Sequence, residues 1–245
     1  KIWKAKIEGA EGASPLDATL TEIQNKYGVG AIRTANQIQA KIAVLTGIFP
    51  LDFWLLGGKG LTLGEHYTIY GPHGLGKSTL AQIIAAKLQK LFPQRNTALI
   101  LPEGKWSPEV AEKLGLDLSR LVVQDNPMTM EDNLEILKRF VRLPGSLYPS
   151  NLFSCIIVDS VAGLCPASEL EEGKDLGSIR GSEQAKTLSA FFRQLGQSLG
   201  EAVIFWINQV RVTQTLVGGR TIAREEPPSG KAIHHASIAE FRLTR

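Results

Sequence analysis

Hydrophobic positions along this chain alternate between two periods. Short, nearly unbroken apolar runs read as strands: 67–70, 98–101, 121–124, 153–159, 202–208 and 237–244. Between them lie segments in which apolar residues recur every three or four positions. These read as helices at 77–91, 108–114, 130–142 and 182–199. In the last of these, Leu188, Phe191, Phe192, Leu195 and Leu199 mark the buried face. Runs such as Cys155-Ile156-Ile157-Val158 lack polar alternation, so the sheet is expected to be covered on both faces. Strands alternating with helices predict an α/β fold with a mostly parallel central sheet. Ligands in such folds lie at the carboxyl ends of strands.

A separate front piece precedes this pattern. Residues 15–27 read as a helix, with Ser14 as cap and Pro15 in the first turn. Leu16, Leu20, Ile23 and Tyr27 form one apolar stripe, and Gly28 and Gly30 end the helix. Ala31-Ile32-Arg33 reads as a short strand. This piece is too short to bury its own stripe, so it must pack on the main domain or on another subunit. Two stretches, 169–181 and 212–231, read as long loops, which inside a compact domain are usually functional.

Composition narrows the class. The chain has 245 residues, 43% hydrophobic and 21% charged, which suits one large domain with a small appendage. A net charge of +3 permits nucleic-acid binding without arguing for it, so any DNA contact must be a local basic patch. Cys155 and Cys165 share no metal-ligand spacing with the histidines and read as thiols in a reducing compartment. No apolar run reaches the roughly 18–20 residues of a membrane span. Lys1-Ile2-Trp3-Lys4-Ala5-Lys6 lacks a signal-peptide core, and a cytoplasmic protein without membrane contact is expected. The chain begins without Met, as a trimmed piece of a longer protein would.

The chemistry concentrates at strand ends. Gly71-Pro72-His73-Gly74-Leu75-Gly76-Lys77-Ser78 fits the phosphate-binding pattern G-x-x-x-x-G-K-[ST] at every fixed position, between a predicted strand and helix. The glycines let backbone N–H groups converge on phosphate oxygens, and the helix adds its positive end. Lys77 would reach the β- and γ-phosphates, and the Ser78 hydroxyl would ligate Mg²⁺. Asp159 ends an apolar strand and suits the Mg²⁺ side of such a site; the alternative is a cap or turn Asp. Glu103 follows another strand, where a carboxylate would orient the attacking water; the alternative is a solvated loop Glu. Gln209 follows a third and suits a γ-phosphate sensor, with Asn208 read as turn chemistry. Beyond it, Arg211, Arg220, Arg224 and Lys231 face only Glu225 and Glu226 in charge. With Gly218, Gly219 and Gly230, the segment reads as a flexible, mildly basic DNA-binding loop, or else a solvated surface loop.

Together these residues resemble the RecA family of recombinases, from about Leu16 to the C-terminus. The most specific parts are Thr46-Gly47-Ile48-Phe49-Pro50-Leu51-Asp52, the loop from Gly71 to Thr79, Glu103, and Lys113-Leu114-Gly115-Leu116-Asp117. Ile157-Val158-Asp159-Ser160-Val161-Ala162 and Ile207-Asn208-Gln209-Val210-Arg211 complete them. The end, from Gly230 to Ser237, also resembles the archaeal and eukaryotic branch. The resemblance implies that Lys77, Ser78 and Thr79 hold ATP and Mg²⁺. It makes Glu103 the catalytic carboxylate, Asp159 the Mg²⁺-side Asp and Gln209 the sensor. Loops 169–181 and 211–231 would hold DNA, with Ile179, Arg180, Lys186, Arg211, Leu216, Arg220, Arg224 and Lys231 as contacts. Residues 1–45 would be an oligomerisation segment docking on the neighbouring subunit, and 46–245 the ATPase core. Such a head-to-tail contact builds a helical filament.

The implied function is a DNA-dependent ATPase and recombinase. It would form filaments on single-stranded DNA and pair them with a duplex. Departures from the bacterial pattern leave a second reading, an accessory protein that binds a recombinase or polymerase and uses ATP as a switch. A third, a hexameric motor on the same fold, is one that the RecA-like front piece argues against. Ser107 and Val110 stand where the bacterial pattern has an Asp and a Tyr near adenine, with Trp106 as a substitute. The second loop lacks the bacterial Phe, leaving Leu216, Val217 or Ile222 to separate bases. The chain ends at Arg245, before the hairpin and C-terminal domain of the bacterial proteins, as a short core-type member or an incomplete chain would.

Overall fold

The computed structural model describes residues 14–28, 31–32, 34–37, 40–142, 151–170, 180–195, 199–217, 220–226 and 232–245. The chain divides into two compact units, 1–41 and 42–245.

In the first unit, α1 spans Pro15–Tyr27, the predicted bounds. Ser14 and Asp17 form a reciprocal capping box, which satisfies two N-terminal donors. No residue of α1 is buried; Leu16 is 60% and Tyr27 66% exposed. Ala31 and Ile32, expected in a strand, form a bend, and Arg33 lies outside the described residues. The Ile32 carbonyl accepts a hydrogen bond from Gln24 Nε2 at 2.9 Å, so a side chain takes the place of a ladder partner.

The second unit opens with β1 (Ala43–Val44), antiparallel to β2 (Leu61–Thr62). Between them the chain makes one wide helical turn, Pro50–Leu55. Buried Asp52 organises the approach to it. Its carboxylate accepts from Thr46 N (2.9 Å), Thr46 Oγ1 (2.8 Å) and Gly47 N (2.9 Å). Phe49, Phe53, Trp54 and Leu55 stay exposed on this turn, with Phe49 and Phe53 stacked at 4.6 Å.

The central sheet follows: β3 (His66–Gly71), β4 (Asn96–Ile100), β5 (Leu121–Gln124), β6 (Phe153–Asp159), β7 (Val203–Gln209) and, last in the chain, β10 (Ser237–Arg242). Its order is β10-β3-β7-β6-β4-β5, and every pairing is parallel. The helices are α2 (Lys77–Leu91), α3 (Pro108–Lys113), α4 (Met130–Val141), the short α5 (Ala167–Leu170), α6 (Arg180–Leu195) and α7 (Ala232–Ala236).

Alternation along the strands builds two cores. Leu99, Cys155, Ile157, Val203, Phe205 and Ile207 pack with Ala81, Ile84, Ala85 and Leu88 of α2. Their neighbours Ala98, Ile100, Ile156, Val158, Ile204 and Trp206 pack on the other face with Met130, Leu134, Leu137, Leu188, Phe191 and Leu195. This is the two-faced burial that unbroken apolar strands require. Fully burying a side chain such as Phe205 stabilises the fold by about 1.5–3 kcal/mol. Helix α6 runs from Arg180 to Leu195; Leu199, expected as its end, is not helical, and 196–198 lie outside the described residues.

The stretch expected as a loop at 212–231 is instead largely a hairpin. Strand β8 (Arg211–Val217) pairs antiparallel with β9 (Arg220–Glu226), from Arg211↔Glu226 to Val217↔Arg220. The β-branched residues Val212, Thr213, Thr215, Val217, Thr221 and Ile222 favour strands, and Gly218-Gly219 is a dipeptide suited to a two-residue hairpin turn. Of the other expected loop, the ends are helical: Glu169 lies in α5 and Arg180 opens α6, while 171–179 lie outside the described residues.

Candidate functional site

Strands β3, β4, β6 and β7 bring their carboxyl ends to one edge of the sheet, and the predicted site residues converge there. Gly71 ends β3 and pairs in register with Gln209 at the end of β7. The loop then runs from Pro72 to Gly76 into α2. Gly74 and Gly76 adopt φ of 77° and 80°, left-handed values that favour glycine and turn the backbone inward. Gly76 is the N-cap of α2, and no side chain caps that end. The leading N–H groups of a four-turn helix are thereby left to a ligand. Pro72, His73 and Thr79 are exposed and Leu75 is half-buried.

Lys77 folds back into the loop. Its Nζ donates to the carbonyls of Gly71 (2.9 Å) and Pro72 (2.7 Å), and the residue is only 7% exposed. Burial pushes its amine below the ordinary lysine value, opposed by the charge of Asp159. Asp159, at the end of β6, lies beside the Ser78 hydroxyl, which favours its charged form. Burial pushes its carboxyl above the usual range. The Ser78 hydroxyl opposes that shift, nearby Glu103 adds to it, and Lys77 opposes it. Loop, Lys77, Ser78, Asp159 and Glu103 therefore form one electrostatic unit.

Glu103 follows β4. It is exposed, yet it is not simply a solvated loop residue: the Ser160 hydroxyl donates to its Oε1 at 2.6 Å. Ser160 was missed as a site residue. The only hint was its position after Asp159, because the partner lies far away in sequence. Gln209 is half-buried at the end of β7, and its N–H is held by Asn208 Oδ1 at 2.9 Å. Trp106 packs against the core under α2, and its Nε1 is buried without a partner. Val110 is exposed, and Ser107 caps α3.

The pattern matches the family model described as RecA N-terminal domain over residues 14–244. The chain belongs to the RecA family. It is 33% identical to Protein RecA of Roseiflexus sp. (strain RS-1) over 225 residues, which cover 86% of this chain and 60% of that protein. It is 35% identical to Protein RecA of Ruegeria pomeroyi over 243 residues, 97% of this chain and 65% of the relative. Protein RecA of Cereibacter sphaeroides (strain ATCC 17023) is 36% identical over 205 residues, 82% and 56% respectively. The chain thus spans less than two thirds of the length of these relatives. Its parallel sheet flanked by helices is a RecA-like core.

The described residues expected to meet DNA are spread over three elements, α6, β8 and β9. Lys186 is exposed on α6. Arg180 opens that helix, while Ile179 and Lys231 lie outside the described residues. Ser168 of α5 donates to Glu183 of α6, which ties together the flanks of 171–179. Arg211 and Leu216 lie on β8, Arg220 and Arg224 on β9. Paired residues of a ribbon share a face and alternate along each strand. The register therefore puts Arg211, Arg220 and Arg224 on one face and Leu216 on the other. Among the described residues no group of three or more His, Cys, Asp and Glu is arranged to hold a metal, and no helix is long and apolar enough to cross a membrane.

Proposed function

We propose that this chain is a DNA-dependent ATPase and recombinase of the RecA family. In this reading it forms helical filaments on single-stranded DNA with ATP, pairs them with duplex DNA in the cytoplasm, and releases them on hydrolysis. The observation that carries the reading is the convergence of Lys77, Ser78, Asp159, Glu103 and Gln209 on one sheet edge, with a hairpin starting two residues after Gln209.

The residues fit nucleotide and Mg²⁺. The uncapped N-terminus of α2 and the inward loop suit a polyphosphate, while Ser78 and Asp159 supply the hard oxygen donors that Mg²⁺ takes. Held by Ser78 and Asp159, Mg²⁺ would offset the negative charge of the phosphates. On binding, Lys77 exchanges two neutral carbonyl acceptors for phosphate oxygens, a stronger charge-assisted contact. Glu103 orients the attacking water in line with the γ-phosphate and accepts its proton. Gln209 hydrogen-bonds the γ-phosphate, so its loss on hydrolysis is felt at the start of β8. The arginine face of the hairpin contacts DNA phosphates.

Electron microscopy with single-stranded DNA and a non-hydrolysable ATP analogue tests this reading. Regular helical filaments are expected. Closed hexameric rings would favour a motor, and no assembly despite nucleotide binding would favour an accessory protein.

A further inference from the structure

The segment after β6 does more than connect. Val161–Gly163 forms a single tight turn, and its first neighbour, Ser160, is 3% exposed. Ser160 spends its hydroxyl proton on Glu103 Oε1. Gly163 lies against the same side chain: a Cβ there would come within 2.7 Å of Glu103 Cγ and 3.3 Å of Pro102 Cβ. Glu103 is thus held by a donor on one side and fits a space that only a missing side chain leaves open on the other.

The turn is itself anchored from behind. Gln184 of α6 is buried, and its Nε2 donates to the Val161 carbonyl at 2.8 Å and the Leu164 carbonyl at 3.0 Å. Those two acceptors bracket Gly163. One amide therefore fixes both ends of the turn that holds the carboxylate.

We propose that Ser160, Gly163 and Gln184 form a positioning device for Glu103, in which Ser160 and Gly163 set the carboxylate and Gln184 fixes the turn that carries them. The inference rests on the reading of Glu103 as the group that orients water. Its chemical basis is geometric. A general base works only within hydrogen-bond reach and along the line of attack, and a displacement of about 1 Å can cost on the order of 100-fold in rate. An exposed, flexible Glu without the turn would spend most of its time off that line.

Steady-state ATP hydrolysis by the intact chain, with nucleotide affinity measured separately, tests it. Ser160→Ala is expected to lower kcat about 10-fold or more with KM and ATP affinity within about two-fold of wild type. Ser160→Thr, which keeps the hydroxyl, should restore most of the rate. Gly163→Ala should lower kcat because Glu103 must move, and Gln184→Leu should lower it several-fold, again without a change in KM. Combined with Glu103→Gln, Ser160→Ala should cost nothing further in single-turnover rate, since it acts through Glu103. A Ser160→Ala enzyme with wild-type kcat overturns the proposal, as does an equal loss in the Glu103→Gln background or a loss confined to ATP affinity. A wild-type protein that binds ATP but does not hydrolyse it overturns the functional reading and this inference together. An active wild type with an unaffected Ser160→Ala overturns the inference alone.

Discussion

Asp52 accepts hydrogen bonds from Thr46 N, Thr46 Oγ1 and Gly47 N while only 2% exposed. Its place in a family-specific stretch has a structural cause: it staples the chain ahead of the wide turn Pro50–Leu55. Removing it leaves the N–H and the hydroxyl of buried Thr46 without their acceptor, at about 1–3 kcal/mol each, while the N–H of exposed Gly47 can turn to water. Asp52→Ala is therefore expected to lower the urea midpoint by an amount equivalent to about 2–4 kcal/mol with m unchanged. Asp52→Asn, which keeps one oxygen, should lie between. At this scale, residues with a fixed local spacing were legible from the sequence: Gly71 through Ser78 announce themselves, and Glu103, Asp159 and Gln209 follow from standing at strand ends. Ser160, Gly163 and Gln184 were not, because their role exists only once β4, β6 and α6 are side by side.

Elements were legible where one period dominated. The run 153–159 and the helix from Lys77 to Leu91 match their predicted bounds, since each has an unambiguous apolar pattern and, for the helix, a Gly start. The hairpin of β8 and β9 was hidden. Its strands carry polar and charged residues on both faces, and its glycines argued for flexibility when they instead suit a turn. The ribbon makes a sharper prediction than a loop would. Replacing Arg211, Arg220 and Arg224 by Ala should weaken single-stranded DNA binding at low salt. It should also make the slope of log K against log salt less negative by about 2, at about 0.7 per lost phosphate contact. An unchanged slope measured by fluorescence anisotropy would mean that this face does not touch the backbone.

At the scale of the whole molecule, two cores on a parallel sheet account for stability, and the carboxyl edge of that sheet collects the chemistry. Helix α1 has a well-capped start, and no residue of its apolar stripe is buried. If the stripe docks on a neighbouring subunit, Leu20→Asp with Ile23→Asp should abolish self-association in sedimentation while leaving nucleotide affinity within about two-fold. Unchanged assembly would remove α1 from the subunit contact. In the proposed function the phosphate loop, Glu103 and DNA act in one cycle. Its most direct test is ATP hydrolysis with and without single-stranded DNA, for wild type and Glu103→Gln. DNA is expected to stimulate hydrolysis strongly in wild type and not in the variant, with nucleotide binding kept in both. Hydrolysis indifferent to DNA, or a Glu103→Gln protein as active as wild type, would contradict it.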